Sequence, residues 1–235
     1  PPAERLAALD WLEGELNAAF AGRAEHPLMV RLGRTVADCG LAREPFARLI
    51  EANRLDQRRG RYETWEELRG YCALSADPVG EIVLGVFGRS EPELIALSDR
   101  ICTALQLAEH CQDVAEDYAA GRVYLPAEDM ERFGCTEADL DPARRAGRDA
   151  GPLRDVLAFE VRRARELLAQ GTPLLGTLRG RGRWRERLAV AAFVAGGHAA
   201  LDAIERAGYD VLAGAPRAGG WRRLLALRAV LAASS

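Results

Sequence analysis

Residues that favour helices dominate this chain so heavily that little else can form: 42 Ala and 32 Leu stand against 24 Val, Ile and Thr taken together in 235 residues. Only the smaller group is branched at Cβ, the feature that stiffens a side chain and suits it to strands. An all-α fold is therefore expected. At roughly 100–200 residues per domain the length allows one large domain or two small ones. Helical patterns of one character run from end to end, without internal repeats or low-complexity tracts. They indicate a single domain over residues 1–235.

The apolar periodicity and its punctuation place the helices. Pro2 to Ala21 carries Leu6, Leu9, Leu12, Leu16 and Phe20 at helical spacing and stops at Gly22. Pro27 to Cys39 stops at Gly40, and a third helix runs from Glu44 to about Arg58. Thr64 to Phe87 opens on a Thr64/Glu67 capping box and is interrupted by Asp77-Pro78, which predicts a kink near Ala76. Ser90 as N-cap and Pro92 in the first turn open the longest helix, to about Ala120, before Gly121. An extended connector to Pro126, a short helix from Ala127 to Phe133 and a second short start at Thr136 follow. Asp141 to Gly151 reads as a polar surface loop. Leu153 to Ala169, Trp184 to Ala207 and Trp221 to Ala232 complete the set.

Every one of the 32 basic residues is Arg, and there is no Lys. That excludes a phosphate-loop lysine, a Schiff-base lysine and a lysine general base, and leaves anion binding to Arg, backbone N–H groups or metal. With 35 acidic residues the net charge is −3, both signs are interspersed, and no nucleic-acid partner is expected. Cys39, Cys72, Cys102, Cys111 and Cys135 form no CxxC pair and make an odd count. A reducing, cytoplasmic setting fits better than a disulfide framework. The longest apolar runs, such as Leu188 to Ala195, fall far short of the ~20 residues that span a bilayer, and no charged-then-apolar leader opens the chain.

The strongest chemical signal lies near the end of the long helix. Glu109, Asp113 and Asp117 are spaced i, i+4, i+8, one helical turn apart on one face, with Glu116 on the flank. Like charges at that spacing repel by a few tenths of a kcal/mol per exposed pair, and a hard cation reverses the sign. Mg²⁺ takes one or two carboxylates together with waters and a substrate phosphate. A solvated acidic face is the competing reading, and spacing alone does not separate the two. Likewise, His26, His110 and His198 do not suggest a ligand set, and His110 reads as a packed or side-facing histidine.

Three ordered stretches resemble one family. Ser98 to Gly134 is similar to the second signature of the squalene and phytoene synthases, which are head-to-head prenyl synthases. Tyr71-Cys72-Ala73-Leu74-Ser75-Ala76-Asp77-Pro78-Val79-Gly80 resembles their YC…VG signature, and Gly196-Gly197 through Gly208-Tyr209-Asp210-Val211 their C-terminal helix. Gln112 before Asp113, together with Ser75-Ala76-x-Pro78-Val79-Gly80, looks most like the bacterial hydroxysqualene branch of hopanoid pathways. The resemblance implies an isoprenoid synthase-type helical bundle around a central cavity, with Mg²⁺ as cofactor and presqualene diphosphate converted to a C30 alcohol. The alternatives are a condensing synthase of the presqualene or phytoene type, using farnesyl or geranylgeranyl diphosphate, and a non-catalytic partner subunit of such a synthase.

By the same resemblance Asp113 and Asp117 are catalytic metal ligands and Tyr71 is the catalytic tyrosine; Glu109 is a further candidate ligand on its own carboxylate chemistry. Arg122 and Tyr124 hold diphosphate oxygens, with Gln112 on the substrate side. Phe193, with Gly196 and Gly197, lines a prenyl tunnel, although close helix packing explains the glycines equally well. The partners implied are a prenyl diphosphate, a membrane surface that receives the product, and other squalene-pathway enzymes. Two departures stand out. Glu109 occupies a position where the family has Asn, and the first aspartate-rich motif is absent, since Asp10, Asp38 and Asp56 are isolated. In the family that motif falls just before the segment similar to Pro1 to Phe20, so the chain is expected to lack an N-terminal portion carrying it.

Overall fold

The computed structural model describes residues 2–144, 151–178 and 182–233. All regular structure among them is helical: α1 (Pro2–Phe20), α2 (Pro27–Cys39), α3 (Glu44–Leu55), α4 (Trp65–Ser75), α5 (Asp77–Val86), α6 (Pro92–Gln112), α7 (Val114–Ala119), α8 (Ala127–Arg132), α9 (Gly151–Gly171), α10 (Leu174–Thr177), α11 (Trp184–Arg206) and α12 (Gly220–Ala233). Short 3-10 turns lie at Glu137–Asp139 and Pro142–Arg144. Of the polar stretch read as a loop from Asp141 to Gly151, residues 145–150 lie outside the described residues, as does Pro1.

Local chemistry sets many of the boundaries. Gly40 takes the left-handed conformation (φ 63°) that a side chain resists, and its N–H caps the Val36 carbonyl at the end of α2. Thr64 Oγ1 accepts from the Glu67 N–H at 3.2 Å, while Glu67 reaches back to the Glu63 N–H at 2.8 Å, one residue short of a reciprocal box. The kink predicted from Pro78 is present as a break at Ala76 (φ −114°, ψ −52°).

The third helix stops at Leu55, short of about Arg58, and the short α10 was not expected; two further differences bear on the site. Glu91, not Ser90, precedes α6 and makes no side-chain cap, because Pro92 at the first position has its φ preset and no N–H to satisfy. The helix expected to reach Ala120 ends at Gln112, with Asp113 (φ −100°, ψ 16°) dividing α6 from α7. The break is local. The Asp113 N–H still bonds the Glu109 carbonyl at 2.9 Å and the Asp117 N–H the Asp113 carbonyl at 2.8 Å, so the three acids still follow one another a turn apart.

At the centre, α6 packs most extensively on α9 and also on α5 and α11. Leu157, Val161, Ala164 and Leu168 form a fully buried stripe on α9, and each buried Leu contributes about 1.5–3 kcal/mol. Glycines permit the close approaches. A Cβ on Gly171 would stand 2.7 Å from the Leu97 carbonyl oxygen, and one on Gly197 2.8 Å from Leu105 Cδ2. One expectation needs correction here: although its unbroken apolar runs are short, α11 is long and apolar enough to cross a membrane by length and composition. Half of that apolar window is buried inside the bundle.

Candidate functional site

Ser98, Cys102, Leu105 and Glu109 succeed one another at helical spacing along one stripe of α6. The first three line an apolar groove of about 100 Å³ with Val79, Gly80 and Val83 of α5 and Val190 and Phe193 of α11. Gly80 makes room for it, because a Cβ there would run into Ser98 Oγ and stand 2.7 Å from Cys102 Sγ. Phe193 lies half-exposed on the rim.

Towards its C-terminus the stripe turns acidic. Glu109 is exposed, whereas Asp113 and Asp117 are partly shielded. Loss of solvation raises all three carboxyls; Asp113 and Asp117 raise Glu109 further, and Glu116 does the same to Asp113 and Asp117. Opposing them are Arg122, which pairs with Asp117 at 3.1 Å, and Arg217, which acts on Asp113. Among the described residues no group of three His, Cys, Asp or Glu converges to hold a metal unaided. Hard oxygen donors crowded to mutual repulsion nevertheless fit a hard dication that shares its shell with ligand oxygens.

Beside these acids lies a cluster that spacing did not reveal. Tyr71 on α4 and Tyr124 beyond α7 both donate to Asp56 at the end of α3, Tyr71 Oη to Oδ2 at 3.2 Å and Tyr124 Oη to Oδ1 at 3.1 Å. Their rings stack at 5.4 Å, Tyr62 packs against both, and His110 lies flat on Tyr124 at 4.0 Å with 9° between planes. Burial pushes Asp56 up, against the two hydroxyls and the field of Arg122. It also raises Tyr71, and takes Tyr124 up to about 12. His110 is pushed down to about 3 by its burial and by Arg122, so it is neutral, the packed histidine expected. By resemblance Asp56, ahead of Arg61-Tyr62, matches a family position, but sequence reasoning gave neither Asp56 nor Tyr62 a place in the site, because their partners lie up to 68 residues away along the chain.

The predicted residues thus fall into three places. Tyr71, Tyr124, Arg122 and Asp117 come together, with Asp113 and Glu109 along the same stripe. Phe193 sits at the apolar groove. Gln112 lies apart from it: its amide donates to the Pro216 carbonyl, and it lines a separate cavity of about 660 Å³ with Arg217 and Arg223 between α11 and α12. Gly196 lines that second cavity, whereas Gly197 packs on Leu105 and Leu168.

The family model for squalene/phytoene synthase matches residues 1–225. The chain belongs to that family. Among squalene/phytoene synthases, it is 32% identical to phytoene synthase of Arthrospira platensis, over 94% of this chain and 74% of that protein. It is 36% identical to hydroxysqualene synthase of Rhodopseudomonas palustris, over 74% of this chain and 58% of that protein. The crystal structure of squalene synthase HpnC from Alicyclobacillus acidocaldarius superposes with a TM-score of 0.78 at 47% identity, covering 87% of this chain and 74% of that one. A dehydrosqualene synthase in complex with ligand shares the fold at a TM-score of 0.85 and 23% identity. The chain spans about three fifths to four fifths of the length of these four relatives.

Proposed function

We propose that this chain performs Mg²⁺-dependent conversion of presqualene diphosphate to hydroxysqualene with release of diphosphate. One observation carries the reading: a single stripe passes from an apolar groove on α6 to Glu109 and on, across the break at Asp113, to Asp117 on α7. That order matches a ligand with a long hydrocarbon chain and an anionic head. The groove accommodates part of one prenyl arm. The narrower choice of reaction draws on the similarity to the Rhodopseudomonas enzyme and to HpnC, together with Gln112 before Asp113.

Asp113 and Asp117 are the residues that would hold Mg²⁺, with Glu109 a turn away adding its negative charge. When bound, the ion supplies Lewis-acid neutralisation of the leaving diphosphate. Arg122, already turned towards Asp117, offers a forked guanidinium to diphosphate oxygens. As the C–O bond breaks, both electrons leave with the diphosphate and a cyclopropylcarbinyl cation remains. The Tyr71 and Tyr124 oxygens and their stacked rings place electron density beside it. Groove residues such as Val83, Leu84 and Leu105 keep bulk water away, so the cation rearranges before one water adds and loses a proton.

The test is incubation of the full protein with presqualene diphosphate and Mg²⁺, followed by analysis of the lipid extract. A C30 tertiary alcohol and free diphosphate are expected; no diphosphate release overturns the proposal. The similarity to phytoene synthase over 94% of the chain favours a second reading, a condensing synthase. Consumption of farnesyl or geranylgeranyl diphosphate alone would establish it instead.

A further inference from the structure

We infer that Asp56 is a positioning residue that draws the hydroxyl protons of Tyr71 and Tyr124 to itself, so that both phenol oxygens meet a ligand only with lone pairs. The inference deepens the cation chemistry proposed above and rests on it for the identity of the ligand.

Asp56 closes α3, and from there its two oxygens reach a helix residue 15 positions on and a connector residue 68 positions on. A phenol has one proton. Each hydroxyl donates that proton to a different oxygen of the carboxylate, Tyr71 to Oδ2 and Tyr124 to Oδ1. Neither proton remains for a ligand. The capture is selective, since the Tyr62 hydroxyl, on the third ring of the stack, is buried without a partner among the described residues.

Cost argues in the same direction. Asp56 is partly buried and makes no ion pair among the described residues; Arg122, whose charge is felt there, is paired with Asp117. A partly desolvated carboxylate held by two neutral hydroxyls is expensive for packing alone, and an apolar residue would fill the volume more cheaply. Fixed dipoles with their negative ends turned outward are what a transient cation requires, and they need no reorganisation when it forms.

Asp56→Asn in the full protein tests this, because the amide must donate to one of the two tyrosines and reverse it. With presqualene diphosphate, kcat is expected to fall about 100-fold while KM moves less than about 3-fold; an equal change in both, or none, overturns the inference. A second measurement does not depend on turnover. Wild type should prefer a farnesyl ammonium ion over farnesol, and Asp56→Asn should cut that preference about tenfold with farnesol affinity unchanged. Equal losses for the two ligands, or an intact preference, overturn the inference. Should the variant fail to fold, the double change Tyr71→Phe, Tyr124→Phe removes the same oxygens and must lower the same ratio. If wild type releases no diphosphate, the hydroxysqualene reading falls while the binding ratio still decides the role of Asp56.

Discussion

Asp113 and Asp117 lie close enough to repel, and burial raises both carboxyls, so neutralising either relieves repulsion, which for Asp117 offsets the weakening of its ion pair with Arg122. Asp113→Asn and Asp117→Asn should each abolish turnover while urea unfolding shifts by less than about 0.5 kcal/mol. Normal activity in either variant would contradict the metal role. These acids were legible because a spacing of four is a geometric statement about helical turns, and the break at Asp113 preserves the turn-to-turn bonds Asp113 N–H to Glu109 and Asp117 N–H to Asp113. Tyr71, Tyr124 and Arg122 were named only through family resemblance, as no local rule ties them to the acids. Asp56 was matched by resemblance to a family position ahead of Arg61-Tyr62, but no role came with the match. Its ordinary polar setting in the sequence holds no sign of the two hydroxyls that the fold brings to it.

The breaks that follow from backbone chemistry were predictable: the Pro78 kink at Ala76, the glycine stop at Gly40 and the Thr64 cap each rest on what one residue can or cannot do. The end of α6 at Asp113 has no such marker, being neither glycine nor proline. Glycines inside helices divide in the same way. Gly171 lets α9 approach the backbone of α6, and because the obstacle is the Leu97 carbonyl, no side-chain rotation relieves it. Gly171→Ala should therefore cost about 1–3 kcal/mol. Gly14 in α1 has nothing within 4 Å of where a Cβ would sit, and Gly14→Ala should stabilise by about 0.5–1 kcal/mol. Chemical denaturation of the two variants separates the packing glycine from the idle one.

Across the whole molecule, buried acids set how stability responds to pH. Arg163 lies between the rings of Trp65 and Phe159 and bonds Asp129 and Glu160, both at about 2.8 Å or less, joining α4, α8 and α9. Burial outweighs that partner and pushes Glu160 up to about 8; Asp99, shielded and near Asp77 and Glu81, is pushed up to about 7. The folded protein holds these protons where the unfolded chain, with carboxyls near 4, has released them. Their contribution is complete below about pH 4 and is lost as pH rises towards 8. His110 and His198, both lowered, act in the opposite sense, but only up to the unfolded histidine value of about 6.5. Between pH 6.5 and 8 the acids act alone. Unfolding free energy should fall across that interval by up to about 2 kcal/mol, and Glu160→Gln should flatten the decline. A slope unchanged in that variant would remove Glu160 as its source.

By itself the sequence determined the all-α class, the order of the helices, most of their ends and the acidic stripe, because each depends on neighbours within one or two helical turns. Only the tertiary structure decided that α6 carries that stripe from an apolar groove into the acids, that Gln112 lines a different cavity from Phe193, and that Asp56 gathers two tyrosines. Those relations join residues tens of positions apart. Buried polar groups must find partners wherever the packed chain brings them, and periodicity along a single helix holds no record of which partner that will be.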